Sequence, residues 1–304
     1  MKCVVVGNIP LRTEVLKKGK HSGLAMSGSY AAAVTAKKLG WDSTLITRMS
    51  NSFPKKFLEQ IKKEKINLIT LPAWQDTVYD VKYTAGYEDK TKRIVRIKSE
   101  AGPIMTVPKV DADVVMVSSY YGNVGLDVLK TLKKPDNILC LDVQAFIKQK
   151  KEDGKVYYQP WSDFQNYAHY VDVLKISSDE LYYLTGRASL NTASSLLKYG
   201  IKVVFLTTVD NVYVFWGKKY LKVPIYYTKK KSVAGIGEVY DTALTIRMKE
   251  KEGSKPESQY DLLDACYFAE AAASLAKEKP YYKDSFKRKE IEKRCETLKK
   301  IFLA

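Results

Sequence analysis

The most informative stretch of the chain is Ser232-Val-Ala-Gly-Ile-Gly-Glu-Val-Tyr-Asp-Thr-Ala-Leu244, a glycine-rich turn that opens a helix late in the sequence. It follows a strand-like run, Lys222-Val-Pro-Ile-Tyr-Tyr227, and leads into an apolar pattern that ends near Gly253. Gly235 and Gly237 let backbone N–H groups approach an anion closely, and the N-terminus of the helix adds a favourable dipole. The stretch therefore predicts an anion-binding turn between a strand and a helix.

Glu238 lies in the first turn of this predicted helix. A carboxylate there can take a proton from a hydroxyl while a phosphate is held at the glycine turn. A simpler interpretation explains the same residues: a glycine turn starts a helix, and an acidic side chain complements the helix dipole. The two glycines alone do not decide between these interpretations.

The composition is that of a folded α/β protein. The 304 residues, 45% of them hydrophobic, can bury the core of one large domain or of two smaller ones. We see no Pro/Gly/Ser-rich linker and predict a single domain over residues 1–304. No run of about 18 apolar residues occurs, so we predict no membrane span.

The start of the chain and the cysteines indicate a compartment. Met1-Lys-Cys-Val-Val-Val-Gly7 reaches a glycine too soon for a signal peptide, and it is typical of a first buried strand. The cysteines are far apart and form no C-x-x-C pair, so neither a zinc site nor a disulfide framework is indicated. We predict a location in the reducing cytoplasm.

The net charge of +17 raises the question of a nucleic-acid partner. Only 8 of the 51 basic residues are arginine. Arginine is the side chain best suited to bidentate hydrogen bonds with phosphates and with the edges of bases. The lysines are spread along the whole length, as on a solvated surface. We predict no nucleic-acid binding, although the positive field would favour an anionic small substrate such as ATP.

Short apolar runs alternate with helix-like segments through most of the chain. Such runs, separated by helices, are typical of strands in a parallel sheet that is covered on both faces. The clearest are Val4-Val-Val6, Ser43-Thr-Leu-Ile-Thr47, Val114-Val-Met-Val117, Ile138-Leu-Cys-Leu141, Val173-Leu-Lys-Ile176 and Lys202-Val-Val-Phe-Leu206.

Residues 77–97 do not follow this alternation of strand-like and helix-like segments. Val78, Asp80 and Lys82 alternate before Tyr87-Glu-Asp-Lys90, and Ile94 and Arg96 alternate after it. This pattern predicts an antiparallel hairpin inserted into the α/β body. The hairpin is either a lid over a site, a clasp of a homodimer, or an edge hairpin without a role.

Taken together, these segments resemble the PfkB carbohydrate kinase family, as a divergent member of archaeal type. The resemblance covers nearly the whole chain and lies in the order of its motifs. It implies a ribokinase-like three-layer sandwich, with a mainly parallel central sheet and a small β lid. The matching segments are Val4-Val-Val-Gly7, Met26-Ser-Gly-Ser-Tyr-Ala31, Leu39-Gly40, Thr77-Val-Tyr-Asp-Val-Lys-Tyr83, Ser99-Glu-Ala-Gly-Pro-Ile104, Leu141-Asp-Val-Gln-Ala-Phe146 and Lys175-Ile-Ser-Ser-Asp-Glu-Leu-Tyr-Tyr-Leu-Thr-Gly186.

The resemblance also implies catalytic roles. Gly235-Ile-Gly-Glu238 occupies the place of the family's Gly-Ala-Gly-Asp, which makes Gly235, Ile236 and Gly237 the anion hole and Glu238 the catalytic base. Glu238 is one methylene longer than the family's aspartate, and Asp241 follows one helical turn later. Glu180 matches the glutamate of the family's Asn-x-x-Glu element, which implies a role in holding Mg²⁺ through water. The asparagine of that element is Ser177 here.

The substrate and nucleotide motifs are altered in detail. For the substrate side, the resemblance implies Asn8, Arg12 and Gly28, without the acidic residue that usually holds the hydroxyls. For the nucleotide side, it implies Thr207 and Thr208. Glu270 stands where the family has an asparagine beside the adenine pocket.

This pattern leaves two hypotheses. In the first, the protein is an ATP- and Mg²⁺-dependent phosphotransferase that acts on a hydroxyl of a sugar, polyol or nucleoside. In the second, it is an impaired relative that binds a nucleotide or metabolite without efficient transfer. Two strand-end features are open in the same way: Asp142 lines the phosphate region or caps a turn, and Tyr120-Tyr121 stack on a ligand or pack together.

Overall fold

The computed structural model describes residues 1–15, 25–83, 93–122, 124–228, 235–252, 259–278 and 286–303. The strands are β1 (Lys2–Val6), β2 (Leu11–Val15), β3 (Ala25–Met26), β4 (Asp42–Met49), β5 (Asn67–Pro72), β6 (Val78–Tyr83), β7 (Arg93–Ser99), β8 (Val114–Val117), β9 (Ile138–Asp142), β10 (Lys148–Lys150), β11 (Val156–Tyr158), β12 (Val173–Ser177), β13 (Val203–Thr207), β14 (Asn211–Trp216) and β15 (Lys219–Pro224). The helices are α1 (Ser29–Lys38), α2 (Lys55–Lys63), α3 (Leu126–Leu132), α4 (Gln144–Ile147), α5 (Phe164–Ala168), α6 (Ser178–Thr185), α7 (Leu190–Ser195), α8 (Ile236–Glu252), α9 (Gln259–Glu278) and α10 (Arg288–Leu303).

A nine-stranded sheet forms the centre, in the order β15-β14-β13-β12-β9-β8-β1-β4-β5. It is parallel from β5 to β13, and β14 and β15 continue it antiparallel. The strand order reverses direction between β1 and β8. In open α/β sheets, the carboxyl ends of the strands beside such a reversal form a crevice for ligands.

Both faces of this sheet are buried, which explains the unbroken apolar runs. In β1, Cys3 and Val5 pack with α1, α8 and α9 on one face. Val4 and Val6 pack with α3, α5 and α7 on the other face. The predicted parallel sheet with helices on both sides is therefore confirmed. Among the described helices, none has a stretch long and apolar enough to span a bilayer.

A smaller four-stranded sheet has the order β3-β2-β6-β7. Within residues 77–97, β6 and β7 pair antiparallel as expected, while the predicted turn at Tyr87-Glu-Asp-Lys90 lies outside the described residues. We did not predict β2, which pairs parallel with β6, or the two-residue β3. The partner of β2 is remote in sequence, and β3 is only two residues long, so no local pattern reveals either strand.

The strand predicted over residues 222–227 begins earlier and ends earlier than expected. β15 stops at Pro224, because the chain then leaves the ladder for other partners. The Ile225 N–H bonds to the Asp210 carbonyl, and the Tyr226 N–H bonds to the Glu270 carboxylate of α9.

Gly7→Ala is expected to destabilise the fold by about 3 kcal/mol or more. Gly7 follows β1 where the backbone after β8 passes so closely that an added Cβ would lie 2.1 Å from the Ser118 carbonyl oxygen. Backbone on both sides must then shift. Denaturant unfolding measures the loss, with Gly40→Ala as the control, since a Cβ there meets nothing within 4 Å and only the positive φ of 88° costs energy. Equal losses in the two variants would contradict the prediction.

Candidate active site

The N-terminus of α8 has the geometry of an anion site. Gly235 has a φ of 72°, a left-handed conformation that favours glycine. The Val239 N–H makes the first helical bond, to the Gly235 carbonyl at 3.0 Å. The amides of Ile236, Gly237 and Glu238 therefore precede the hydrogen-bond ladder of the helix. Residues 232–234, which begin the predicted turn, lie outside the described residues.

Two neighbouring strands bring a lysine and a carboxylate to this helix end. Asp142 ends β9, and Lys175 lies opposite it in the parallel register with β12. Because side chains alternate along a strand, Lys175 faces the α8 side together with Val173. The Lys175 Nζ lies 3.3 Å from Asp142 Oδ2. A Cβ added at Gly237 would lie 3.9 Å from the same Nζ.

Glu180 joins the lysine from the first turn of α6. Ser177 is the N-cap of α6, and its N–H donates to Glu180 Oε2 at 2.7 Å while its hydroxyl accepts the Glu180 N–H, which forms a capping box. Glu180 Oε2 also lies 3.7 Å from Lys175 Nζ. Burial raises the pKa of Glu180, but the charges of Lys175 and Lys148 lower it more, so the net shift is downward. Glu180 is therefore ionised.

Asp142 caps a turn, which is one of the two roles that the sequence left open. Its Oδ2 atom also contacts Lys175. Its Oδ1 accepts the Gln144 N–H at 3.0 Å, and its Oδ2 accepts the Gln144 side-chain amide at 2.6 Å. Gln144 in turn accepts a hydrogen bond from Lys148 Nζ at 2.6 Å. A chain of polar contacts thus runs from Lys148 through Gln144 and Asp142 to Lys175.

Glu238 and Asp241 complete this cluster from α8. Glu238 is 7% exposed, and its charge acts on the ionisation of Asp142, Lys175 and Asp241. Burial lowers the pKa of Lys175, yet the neighbouring carboxylates, led by Asp142, raise it well above its ordinary value. Burial raises the pKa of Asp142 despite the opposing charge of Lys175. The cluster therefore places Lys175, whose charge is firmly held, among four acidic side chains: Asp142, Glu180, Glu238 and Asp241.

Asp241 is the most perturbed carboxyl of the cluster. Burial raises its pKa well above the ordinary value, Lys175 opposes the shift, and Asp142 and Glu238 add to it. Within the described part of the chain, its Oδ2 atom has no hydrogen-bond partner. A carboxyl whose pKa is higher in the folded chain stabilises the fold fully below its unfolded pKa, and this stabilisation is lost as the pH rises through the folded pKa.

Asp241→Asn is therefore expected to become more stable than the wild type as the pH rises from about 4, by about 1.4 kcal/mol per pH unit up to the folded-state pKa. Urea unfolding at a series of pH values measures the difference. Asp264→Asn is the matched control. Although burial raises the pKa of Asp264, Arg247 and Lys299 lower it more, so the stability that this variant lacks is fully present in the wild type above about pH 4, and the difference between the two should stay constant as the pH rises from there. A pH-independent difference for Asp241→Asn would contradict the prediction.

The small sheet covers this cluster with aromatic side chains. The Tyr79 ring of β6 stacks on Tyr120 at 4.7 Å, and Lys148 Nζ lies 3.6 Å from the centre of the Tyr120 ring. Burial raises the pKa of Tyr79 most, Arg12 lowers it, and Glu238 raises it slightly. Arg12 and Glu238 therefore both act on the Tyr79 hydroxyl. The observed ring partner of Tyr120 is therefore Tyr79, a residue that the sequence did not connect with it.

The predicted substrate residues surround the carboxyl end of β1. The Asn8 side-chain amide donates to the Gly102 carbonyl at 2.9 Å and accepts the Arg48 N–H at 3.4 Å. Arg12 is buried in the small sheet and pairs with Glu14. Gly28 precedes α1 with a φ of 62°. Arg12 thus lies on the Tyr79 side of the cluster, while Asn8 ties neighbouring loops together.

The predicted nucleotide residues have partners of their own. Thr207 ends β13 opposite Ser177, and Thr208 donates its hydroxyl to the Asn211 carbonyl at 2.9 Å in the β13–β14 turn. Glu270 is 3% exposed, accepts the Tyr226 N–H at 3.0 Å and lies 3.5 Å from Lys277 Nζ. Thr207 is thus next to Ser177, the cap that holds Glu180, while Thr208 contacts Asn211 and Glu270 contacts Tyr226 and Lys277.

Sequence reasoning assigned no role to Lys175, Gln144 or Lys148. A usable signal existed for Lys175, because it is a charged side chain on a strand that is otherwise apolar and buried on both faces. Gln144 and Lys148 carried no such signal, since their importance depends on contacts with Asp142 and Tyr120.

The fit of the cluster to Mg²⁺ follows from its oxygen atoms. Among the described residues, no three acidic, histidine or cysteine side chains converge as a ready metal cage. Mg²⁺ commonly keeps several waters and uses only one or two carboxylates together with substrate phosphates. The lowered pKa of Glu180 keeps its carboxylate ionised, so the cluster offers one carboxylate for a Mg²⁺ held mainly through water.

Comparison with known proteins by sequence gives no relative: no protein-family model matches the chain, and no curated protein matches it. Solved structures do match. A pyrophosphate-dependent kinase of the ribokinase family, in a sulfate complex, superposes with a TM-score of 0.79 at 22% identity, over 95% of this chain and 99% of that chain. The chain has the ribokinase-like fold.

Two further structures support the fold. A pyrophosphate-dependent ribokinase-family kinase in complex with a pyrophosphate analogue and myo-inositol gives a TM-score of 0.79 at 21% identity, over 95% of this chain and 99% of that chain. Ribokinase from Arabidopsis thaliana, in complex with ribose and ATP, gives 0.71 at 18% identity, over 96% and 98%. The ribokinase-like fold predicted from the order of motifs is confirmed.

Proposed function

We propose that this chain is a kinase of the PfkB carbohydrate kinase family, which transfers a phosphoryl group to a hydroxyl of a sugar, polyol or nucleoside. The observation that carries the proposal is the convergence of the glycine turn, Glu238 and Lys175 at the N-terminus of α8. An anion site with a buried carboxylate beside it has the two parts that phosphoryl transfer to a hydroxyl requires. The ribokinase-like fold agrees with it.

In the proposed reaction, Glu238 removes the proton from the acceptor hydroxyl. The acceptor oxygen forms a bond to the phosphorus while the bond from phosphorus to the bridging oxygen of the donor breaks, and that oxygen leaves with the electron pair. The amides of Ile236, Gly237 and Glu238 donate hydrogen bonds to the transferring phosphoryl group.

Bound Mg²⁺ would supply charge neutralisation for the donor phosphates. Glu180 would hold it through water, as its ionised carboxylate at the cluster supports. The capping box fixes the orientation of this carboxylate, because Oε2 accepts the Ser177 N–H.

Two donors are consistent with the site, and both are phosphoanhydrides. ATP is the donor expected from the sequence, with Thr207, Thr208 and Glu270 on its nucleoside side. Inorganic pyrophosphate is the second candidate. It is favoured because Glu270 and Thr208 are engaged in hydrogen bonds within the chain, and because pyrophosphate-dependent kinases are among the similar structures.

The alternative function is a relative that binds a nucleotide or metabolite without efficient transfer. Its support is the glutamate in place of the family's catalytic aspartate and the missing substrate acid. A misplacement of the base by about 1 Å can lower the rate by about a hundredfold.

The deciding assay measures transfer from ATP and from pyrophosphate, each with Mg²⁺, to a panel of pentoses, hexoses, polyols and nucleosides. We expect phosphorylation of one acceptor class and a clear preference for one donor. Absence of transfer from either donor, while a donor still raises the melting temperature, would support the binding relative instead.

The remaining parts of the hypothesis concern assembly and location. Among the described residues β3 is an outer strand of the small sheet, which supports a homodimer through this sheet. We also propose that the protein is cytoplasmic and has no nucleic-acid partner. Light scattering of the full chain and of a variant lacking residues 77–97 tests the dimer. A monomeric mass for both would exclude it.

A further inference from the structure

Lys175 differs from the structural lysines of this chain in how it is paired. The residue is buried, with 9% of its surface exposed. Its closest carboxylate contacts are 3.3 Å, to Asp142, and 3.7 Å, to Glu180. The second distance is too long for a hydrogen bond.

Lys133 illustrates a lysine that serves structure alone. Its Nζ lies 2.6 Å from Asp172 Oδ2 and also donates to the Asn137 carbonyl at 2.8 Å and to its side-chain oxygen at 3.4 Å. All three donors of that ammonium group are used. Lys175, by contrast, makes one hydrogen bond to the described residues, at 3.3 Å, which leaves two N–H donors.

The position of the Lys175 Nζ atom shows which space its remaining N–H donors can reach. Apart from the two residues next to Gly237 and the backbone of its own helix, the one described atom within 4 Å of a Cβ added at Gly237 is Lys175 Nζ, at 3.9 Å. The space between the ammonium group and the first turn of α8 therefore has a side-chain cation on one side and helix amides on the other. The ammonium group is buried and has unused N–H donors, so it favours a bound anion. The backbone amides of the first turn of α8, which make no bond within the helix, favour an anion as well.

The neighbours of Lys175 hold it in this position. Asp142 is fixed by two hydrogen bonds from Gln144, and Gln144 is fixed by Lys148. Lys148 in turn lies against the Tyr120 ring, on which Tyr79 of the small sheet stacks. The position of the Lys175 ammonium group is therefore linked, contact by contact, to the small sheet.

We propose that Lys175 is a catalytic residue that binds the terminal phosphate of the donor, opposite the amides of α8. This role rests on the proposed kinase function. Lys175 donates hydrogen bonds to phosphate oxygens and neutralises part of their charge, which the surrounding carboxylates would otherwise repel. Asp142 is its positioning residue, because it holds the ammonium group without touching the phosphate.

The test measures binding of inorganic pyrophosphate with Mg²⁺ to the full chain by calorimetry, without any acceptor. Lys175→Met is expected to weaken binding by about 10- to 100-fold, since it removes charge-assisted hydrogen bonds from a buried site. Lys175→Arg retains the charge and is expected to stay within about tenfold of the wild type. Lys133→Met, which removes a paired lysine near the amino end of β12, is the control and should bind as the wild type does.

The outcomes separate this proposal from the kinase function. Unchanged binding by Lys175→Met, or no binding by the wild type, overturns the role of Lys175. Lost binding by Lys175→Met supports the role even if no acceptor is phosphorylated, and in that case only the kinase function fails. If Lys175→Met does not fold, NMR of the wild type decides: pyrophosphate should shift the Lys175 ε-ammonium signal and not that of Lys133, and equal shifts would overturn the proposal.

Discussion

Glu238→Gln is expected to lower the rate of phosphoryl transfer by about 10²- to 10⁴-fold, the contribution typical of a general base. Glutamine has nearly the shape of glutamate but accepts no proton, so the turn and the buried packing of α8 should persist. The KM values for donor and acceptor should change little, because the carboxylate acts mainly in the transition state. Initial rates with the acceptor identified by the panel give both parameters.

The same assay on two neighbouring variants makes the result specific to Glu238. Glu238→Asp restores the residue type of the family but shortens the side chain by one methylene, so we expect an intermediate rate. Asp241→Asn tests the second carboxyl of α8, one turn further on, and should retain most of the activity. Full activity in Glu238→Gln together with loss in Asp241→Asn would assign the base to Asp241 and contradict the proposal.

Gly237→Ala is expected to increase stability slightly and to abolish most activity. In the first turn of a helix, alanine loses less backbone entropy than glycine, which stabilises by roughly 0.5 kcal/mol. The nearest described atom to the new Cβ is Lys175 Nζ at 3.9 Å, an ordinary contact, so no steric cost offsets this gain. The methyl group, however, occupies the space proposed for the phosphate, and a loss of about 10²- to 10³-fold in kcat is expected, as when an oxyanion donor is removed.

Melting temperatures and transfer rates, measured on the same samples, test whether Gly237→Ala gains stability while it loses activity. Gly217→Ala is the control. Gly217 lies in a turn with a φ of 52°, and a Cβ there meets nothing within 4 Å, so that variant should lose stability and keep its activity. If Gly237→Ala transferred phosphate at the wild-type rate, the anion site would not lie at this turn.

Local patterns located most strands of the large sheet, although β5 and β14 were not predicted. Val114–Val117 was predicted as a strand with the bounds that the structure has, because four consecutive apolar residues suit a strand buried on both faces. The helix after Gly235 was likewise predicted from the glycine turn and the apolar pattern behind it. The predicted end of β15 was wrong, because hydrogen-bond partners and not the apolar pattern determine it. The strand ends at Pro224, since the next two amides bind Asp210 and Glu270.

The small sheet and the site show the limit of such patterns most clearly. β2 is held by β6, more than sixty residues away, as in the pairing of Leu11 with Val78. Gln144 belongs to a segment that matches the family, yet its link to Asp142 and to Lys148 appears only when α4 is packed against the end of β9.

The position of most strands in the large sheet, the helix after Gly235 and the presence of Glu238 in its first turn could be predicted from the sequence. These features depend on residues close together in the chain, whose spacing has a direct physical meaning. Only the tertiary structure decided which charges meet there. Lys175 contacts Asp142, 33 positions away, because β9 and β12 are neighbours in a fixed parallel register, and α8 adds Glu238 and Asp241 from a third part of the chain. No local pattern encodes that register, since it follows from packing the two faces of the whole sheet.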